Sequence, residues 1–185
     1  MDLRSLKAVL PVNSFFKSDF EYYLHVAELF RNASIVQHDV TFSQHALAVA
    51  PEVSETSDVW ANVIRGYSDL GSYEDAYSCL IASPHENLYV PDCLVNEAMI
   101  DELNRKQQQV SHLVYKMCED DALDRLLSMN FRGLVKEVEA SLSFRARNAD
   151  PRARTNYSQI LYTWHTFRGD YRNGSCFLAC ISIFY

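Results

Sequence analysis

The chain has 185 residues, 48% of them hydrophobic and 22% charged, with 5 Gly and 5 Pro. That is enough for one domain with a real core, and it excludes a disordered polymer and a turn-rich all-β fold. The formal net charge of −7 argues against a general nucleic-acid binder.

The charge is unevenly placed. Residues 1–130 hold 9 Lys and Arg against 20 Asp and Glu, a net of −11, whereas residues 131–185 hold 8 against 4, a net of +4. Two surfaces with different electrostatic partners would give this division, and so would ordinary solvated helix faces. The first residues, MDLRSLKAVLPVNSFF, do not make a signal peptide, because the apolar run is short and holds a proline. No window has the roughly 17 apolar residues needed to cross a membrane, and the apolar end after Gly174 is also too short.

The prolines at 11, 51, 84, 91 and 151 punctuate stretches that read as helical. The first clear helix follows Ser18, where SDFE forms a capping box with Glu21. Phe20, Tyr23, Leu24, Ala27 and Phe30 then share one face. A second helix is predicted over about Asp39–Ala50, and a third over Ser57–Leu70 with Val59, Trp60, Val63, Ile64, Tyr67 and Leu70 as its stripe. Gly71 ends the third, and a fourth runs Tyr73–Ala82 with Tyr73, Ala76, Tyr77 and Leu80 inward.

After Pro91, Asp92 can cap a helix bearing Leu94, Val95, Ala98 and Met99, and RKQQQVSHLVYKMCE carries Val110, Leu113, Val114 and Met117 at helical spacing. DDALDRLL reads as a short helix; Glu119, Asp120, Asp121 and Asp124 are taken as an acidic helix start that suits the helix dipole. Phe131–Asn148 carries Leu134, Val135, Val138 and Leu142. Thr155–Arg168 carries Tyr157, Ile160, Leu161, Trp164 and Phe167. No stretch alternates with period two over any length, so the fold class is all-α.

LGSYEDAYSCL is echoed by RGDYRNGSCFL. In each, a glycine (Gly71, Gly169) closes one helix, a tyrosine (Tyr73, Tyr171) wedges between paired helices, and a small residue (Ala76, Gly174) lets two backbones approach. Stacked hairpins of this kind make an irregular α-solenoid, although a spacing of 98 residues is far from a regular short period.

Catalytic and metal-binding patterns are missing. The His at 25, 38, 45, 85, 112 and 165 form no HExxH, and His38 and His45, which could share a helix face, have no third ligand. Nucleophile elbows and phosphate loops do not occur either. The cysteines 79, 93, 118, 176 and 180 fit no zinc spacing and read as reduced small hydrophobes. No cofactor or small-molecule substrate is expected. Arg145, Arg147, Arg152 and Arg154 form a basic cluster suited to carboxylates on a protein partner or on the chain's own acidic face. It carries no interleaved stacking platform, so RNA is the weaker reading.

YYLHVAELF (22–30), IRGYSDLGSYEDAYSCL (64–80), SFRARNAD (143–150) and NYSQILYTWHTFRGDYRN (156–173) occur in this order. Together they resemble the C-terminal helical region of a family of scaffold nucleoporins, the 120/160-kDa subunit of the Y-shaped outer-ring complex of the nuclear pore. The resemblance implies a non-catalytic α-solenoid at the nuclear envelope. It would contact other outer-ring nucleoporins and support transport of protein and mRNA. It also implies that residues 1–185 are one helical domain from a larger protein. Two stretches depart from the family pattern: 84–109 is long, and 174–185 is an atypical apolar tail that should lower solubility, as a gene-model error or alternative exon would produce. The alternatives weighed beside this family are a TPR-like adaptor, a small helical enzyme and an RNA-associated module.

Overall fold

A computed structural model describes residues 16–51, 56–83, 97–148 and 154–171. Among these residues there are eight helices and no strand. The chain divides into two compact units, Met1–Tyr89 and Val90–Tyr185, where the length alone favoured a single block.

In the first unit, α1 (Asp19–Asn32), α2 (Val36–Val49), α3 (Ser57–Asp69) and α4 (Tyr73–Ala82) pack in chain order, each on the next. Ser18 starts α1 as the capping box predicts: its Oγ accepts from the Glu21 N–H at 3.2 Å. The Glu21 carboxylate reaches one residue further back than expected, to the Lys17 N–H at 2.8 Å. Phe20 and Ala27 are buried as foreseen, and Tyr22 is buried as well, its ring 5.6 Å from Phe16. Phe20, Ala46 and Val59 form a core cluster joining three helices, with Tyr23, Leu24, Leu47 and Ala50 packed on it.

α2 starts one turn earlier than predicted, at Val36 instead of Asp39. Its first turn has no side-chain cap, so the expected start signal does not exist there. Leu70, placed on the apolar stripe by its spacing, is exposed instead because α3 stops at Asp69 and the chain turns there.

The second unit holds α5 (Glu97–Glu119), α6 (Leu123–Ser128), α7 (Val135–Asn148) and α8 (Tyr157–Phe167). α7 packs on both α5 and α8, and the short α6 bridges α5 and α8. The segments expected around Ala98 and after Arg105 form one helix of 23 residues, since no Gly or Pro interrupts them; Asp92, Leu94 and Val95 lie outside the described residues. Val110, Leu113, Val114 and Met117 are fully buried, as their spacing requires, and Trp164 meets Phe131 at 5.9 Å in the same core. α7 begins at Val135 and not at Phe131, because Gly133 adopts φ +73° and breaks the helical path. Phe167 is exposed, not inward, at the last residue of α8.

Candidate interaction site

The hairpin turns are built alike. At the end of α3, Gly71 has φ +73°; its N–H donates to the Ser68 carbonyl at 3.1 Å, and the Ser72 N–H donates to the Tyr67 carbonyl at 3.0 Å. At the end of α8, Gly169 has φ +77°, with its N–H on Thr166 at 3.1 Å and the Asp170 N–H on His165 at 2.9 Å. Both are Schellman turns, in which the amide of the left-handed residue and the one after it satisfy the last carbonyls.

The same turn ends α1 without a glycine. Ser34 has φ +59°, its N–H donates to Arg31 at 2.9 Å, and the Ile35 N–H donates to Phe30 at 2.9 Å. Asp121 has φ +57° after α5, with the Ala122 N–H on Met117 at 2.8 Å. The acidic run is therefore no helix start. Glu119 ends α5, Asp121 makes the turn, and only Asp124 lies in the first turn of α6. With Gly133 at φ +73°, successive left-handed positions lie 37, 50, 12 and 36 residues apart (34, 71, 121, 133, 169), without a fixed period.

Burial after the turns is not uniform. Tyr73 is 4% exposed and Ala76 fully buried, so this hairpin closes on them. Tyr171 is 68% exposed; the helix it was expected to wedge against, with Gly174, lies outside the described residues. In the first hairpin the buried position five residues after the turn is Asp39, not a small residue. Its carboxylate accepts from Arg31 Nε at 3.0 Å and Nη2 at 2.9 Å, and from Ser43 Oγ at 3.2 Å, which ties the end of α1 to α2.

The basic cluster does not act as one patch. Arg154 pairs with Asp121 at 3.1 Å, both side chains well exposed, so it serves the chain's own acidic turn. Arg152 is outside the described residues. Arg147 is exposed at the end of α7. Arg145 is partly buried: its guanidinium lies 4.3 Å from the Tyr115 ring centroid and 5.9 Å from that of Tyr157, and those two rings meet edge-on at 6.2 Å and 85°. The Tyr115 hydroxyl donates to the Ser141 carbonyl at 3.1 Å, and Ser111 and Ser141 hydroxyls are 2.7 Å apart. Burial pushes the Tyr157 phenol up, with Cys118 and Glu119 adding to the rise and Arg145 opposing it. Sequence reasoning missed this aromatic shelf. Its signal was two spacings of four, Ser111/Tyr115 on α5 and Ser141/Arg145 on α7, which bring both pairs to one seam.

The remaining chemistry is dispersed. His38 lies against Phe30 at 4.9 Å and His45 against Tyr23 at 5.5 Å. Among the described residues no group of three His, Cys, Asp or Glu is placed to hold a metal ion, and no helix is long and apolar enough to cross a membrane. Cys79 and Cys118 are free thiols. An apolar groove of ≈ 310 Å³ is lined by Gln44, Leu47, Trp60, Val63, Ser78, Cys79 and Ala82.

A family model described as Nucleoporin Nup120, HEAT repeats, matches residues 1–94. The chain belongs to the Nup120 nucleoporin family. It is 24% identical over 163 residues to Nucleoporin NUP120 of Chaetomium thermophilum, covering 85% of this chain and 12% of that protein. It is 26% identical over 155 residues to the Drosophila melanogaster Nup160 homolog (83% and 10%), and 27% identical over 127 residues to Mus musculus Nup160 (65% and 8%). The chain thus spans about a tenth of the length of the curated relatives it matches. The stretch of the Nup120 model includes α1–α4, so its HEAT repeats coincide with the two hairpins that turn at Ser34 and Gly71.

Proposed function

We propose that this chain is a structural segment of the nuclear pore scaffold, located at the nuclear envelope, that works by protein contacts with other outer-ring nucleoporins. The observation that carries the reading is the HEAT-repeat match lying over stacked helical hairpins, in relatives named as nuclear pore proteins. In this reading the chain is one helical part of a longer protein and has no catalytic task. It supports passage of protein and mRNA by holding the pore's outer ring together. Contacts of this type draw their energy from a few buried apolar and arginine anchors, and total area is a poor guide to it.

Fluorescent tagging of the endogenous protein tests the location. A punctate nuclear-rim signal coincident with a pore marker is the expected result. A diffuse nucleoplasmic or cytoplasmic signal at native expression would contradict the reading.

A further inference from the structure

We propose that the apolar groove of the first unit, lined by α2, α3 and α4, is a docking site for a basic amphipathic segment of a partner protein. Apolar side chains of that segment fill the groove, and a Lys or Arg beside them meets Asp75. This rests on the reading that the chain works through protein contacts, and it names the chemistry of one partner.

The groove asks for apolar side chains. Trp60 and Val63 of α3 line it together with Leu47 of α2 and Cys79 and Ala82 of α4. Its two polar side chains are already bonded within the chain: Gln44 Nε2 donates to the Tyr67 hydroxyl at 2.7 Å, and Ser78 Oγ donates to the Glu74 carbonyl at 2.8 Å. What is left is ≈ 310 Å³ of largely apolar space, the lower end of the size range of concave binding sites. Val63 is fully buried, whereas Trp60 is only partly so and offers a large aromatic surface for a partner to cover.

Charge decides what kind of segment fits. The three lining helices carry one Lys or Arg, Arg65, against Asp39, Asp58, Asp69, Glu74 and Asp75. Asp39 is buried and held by Arg31, which removes it from the count. Arg65 lies about 140–160° around α3 from Trp60 and Tyr67, on the side away from the groove. Asp75 lies on the groove side: helical geometry places it within about 60° of Ser78, Cys79 and Ala82 around α4. It is exposed, and among the described residues it pairs with no cation. Burial pushes the Cys79 thiol up and the Asp75 charge adds to the rise, so the field of the carboxylate reaches the groove wall. An acid in the first turn of a helix also suits its dipole, but that does not account for an apolar groove beside it. A cation on the partner is therefore matched at this edge, and an acidic peptide or a nucleic acid is repelled.

The test uses the full chain and a helical peptide about 18 residues long, free of Trp, with Leu on one face and Arg on the other. It is labelled for anisotropy and unlabelled for tryptophan emission; versions with Gln or Glu for Arg serve as comparison probes. The Arg peptide should bind and shift the tryptophan emission. That shift should vanish in Trp60→Phe, because the chain's other tryptophan, Trp164, is fully buried in the second unit. The Gln peptide should bind more weakly, and the Glu peptide more weakly still. Asp75→Asn should weaken binding of the Arg peptide about threefold, as suits an exposed ion pair, whereas Glu28→Gln, which removes the same charge from an exposed site on α1, should leave it unchanged. Ala82→Arg, at an exposed position of the groove wall, should weaken it at least about tenfold with Tm unchanged. Absence of Arg-peptide binding by the folded chain, equal losses in Asp75→Asn and Glu28→Gln, undiminished binding by Ala82→Arg, or tighter binding of the Glu peptide would each overturn the proposal. A dimer that Ala82→Arg dissociates would give the groove to a second copy of the chain and overturn it too. Peptide binding without a nuclear-rim signal would remove the scaffold role and leave the groove. A rim signal without peptide binding would remove only the groove.

Discussion

Gly66 of α3 lies against Val40 of α2 with no room for a Cβ between them. A methyl group at 66 would overlap Val40 Cγ2 and meet Val36 Cγ1 at 3.6 Å. Val40 is buried and β-branched, so it cannot rotate away cheaply inside a helix. Glycine in mid-helix is normally a cost of up to about 1 kcal/mol relative to alanine. Here overpacking, worth about 1–3 kcal/mol, outweighs that gain. Gly66→Ala should therefore destabilise the first unit by about 1–2 kcal/mol in urea unfolding. Adding Val40→Ala should cost less in that variant than in the wild type. A stabilised Gly66→Ala would contradict the close approach of α2 and α3.

The left-handed turns differ in what they cost. Ser34 at φ +59° bears a Cβ in a region that disfavours one by about 1–2 kcal/mol, so Ser34→Gly should stabilise the first unit by about 0.5–1 kcal/mol. Gly71→Ala should destabilise it by about 1 kcal/mol, and purely through backbone strain, because nothing lies within 4 Å of the added Cβ. Thermal melts of the two variants should move in opposite directions; equal shifts would count against the turn geometry.

Asp39 is buried, while its partner Arg31 keeps a side chain 41% exposed. Removing the carboxylate strands the Ser43 hydroxyl but lets Arg31 turn to water, so the loss is well below that of a fully buried pair. Asp39→Ala should cost about 1–2 kcal/mol. A double-mutant cycle with Arg31→Ala should return a coupling of about 0.5–1 kcal/mol. A coupling near zero would mean that the two-pronged pair does not hold the hairpin.

Burial pushes the Cys118 thiol up to about 12 from an ordinary value of 9.0, with Glu119 adding to the rise. A raised folded pKa stabilises the fold below the unfolded value, and that contribution is lost as pH climbs from about 9 towards about 12. Urea unfolding of the second unit should be level up to about pH 8 and then weaken, this thiol adding at most about 1.4 kcal/mol per pH unit. Tyr157, also raised by burial, titrates in the same direction, so the comparison is with Cys118→Ala. That variant should start lower, from the cavity, and fall less steeply above pH 9. Equal slopes would contradict the assignment to Cys118.

Much of the fold was readable where side-chain spacing alone decides it. The Val110–Met117 stripe, the Ser18 cap and the Gly71 turn each follow from local chemistry. The turns were harder to read, because two of the five left-handed positions are Ser34 and Asp121, where glycine is the usual signal. Counting only glycines hid the turns at Ser34 and Asp121. Leu70 and Phe167 misled in another way: each continues a stripe by its spacing, but each sits at a helix end where the chain turns away from the core. The arginine cluster was visible as a composition, while its division into a tyrosine-bound Arg145 and an acid-bound Arg154 depends on α5 meeting α7, which no local pattern states.

That the chain is a scaffold nucleoporin segment acting by protein contacts is tested most directly by size-exclusion chromatography of the purified full chain mixed with purified outer-ring nucleoporins. Circular dichroism on the same sample establishes that the chain is folded and helical. Co-elution with at least one of these partners at micromolar concentration is the expected result. A folded chain that elutes alone against every one of them would contradict the scaffold role.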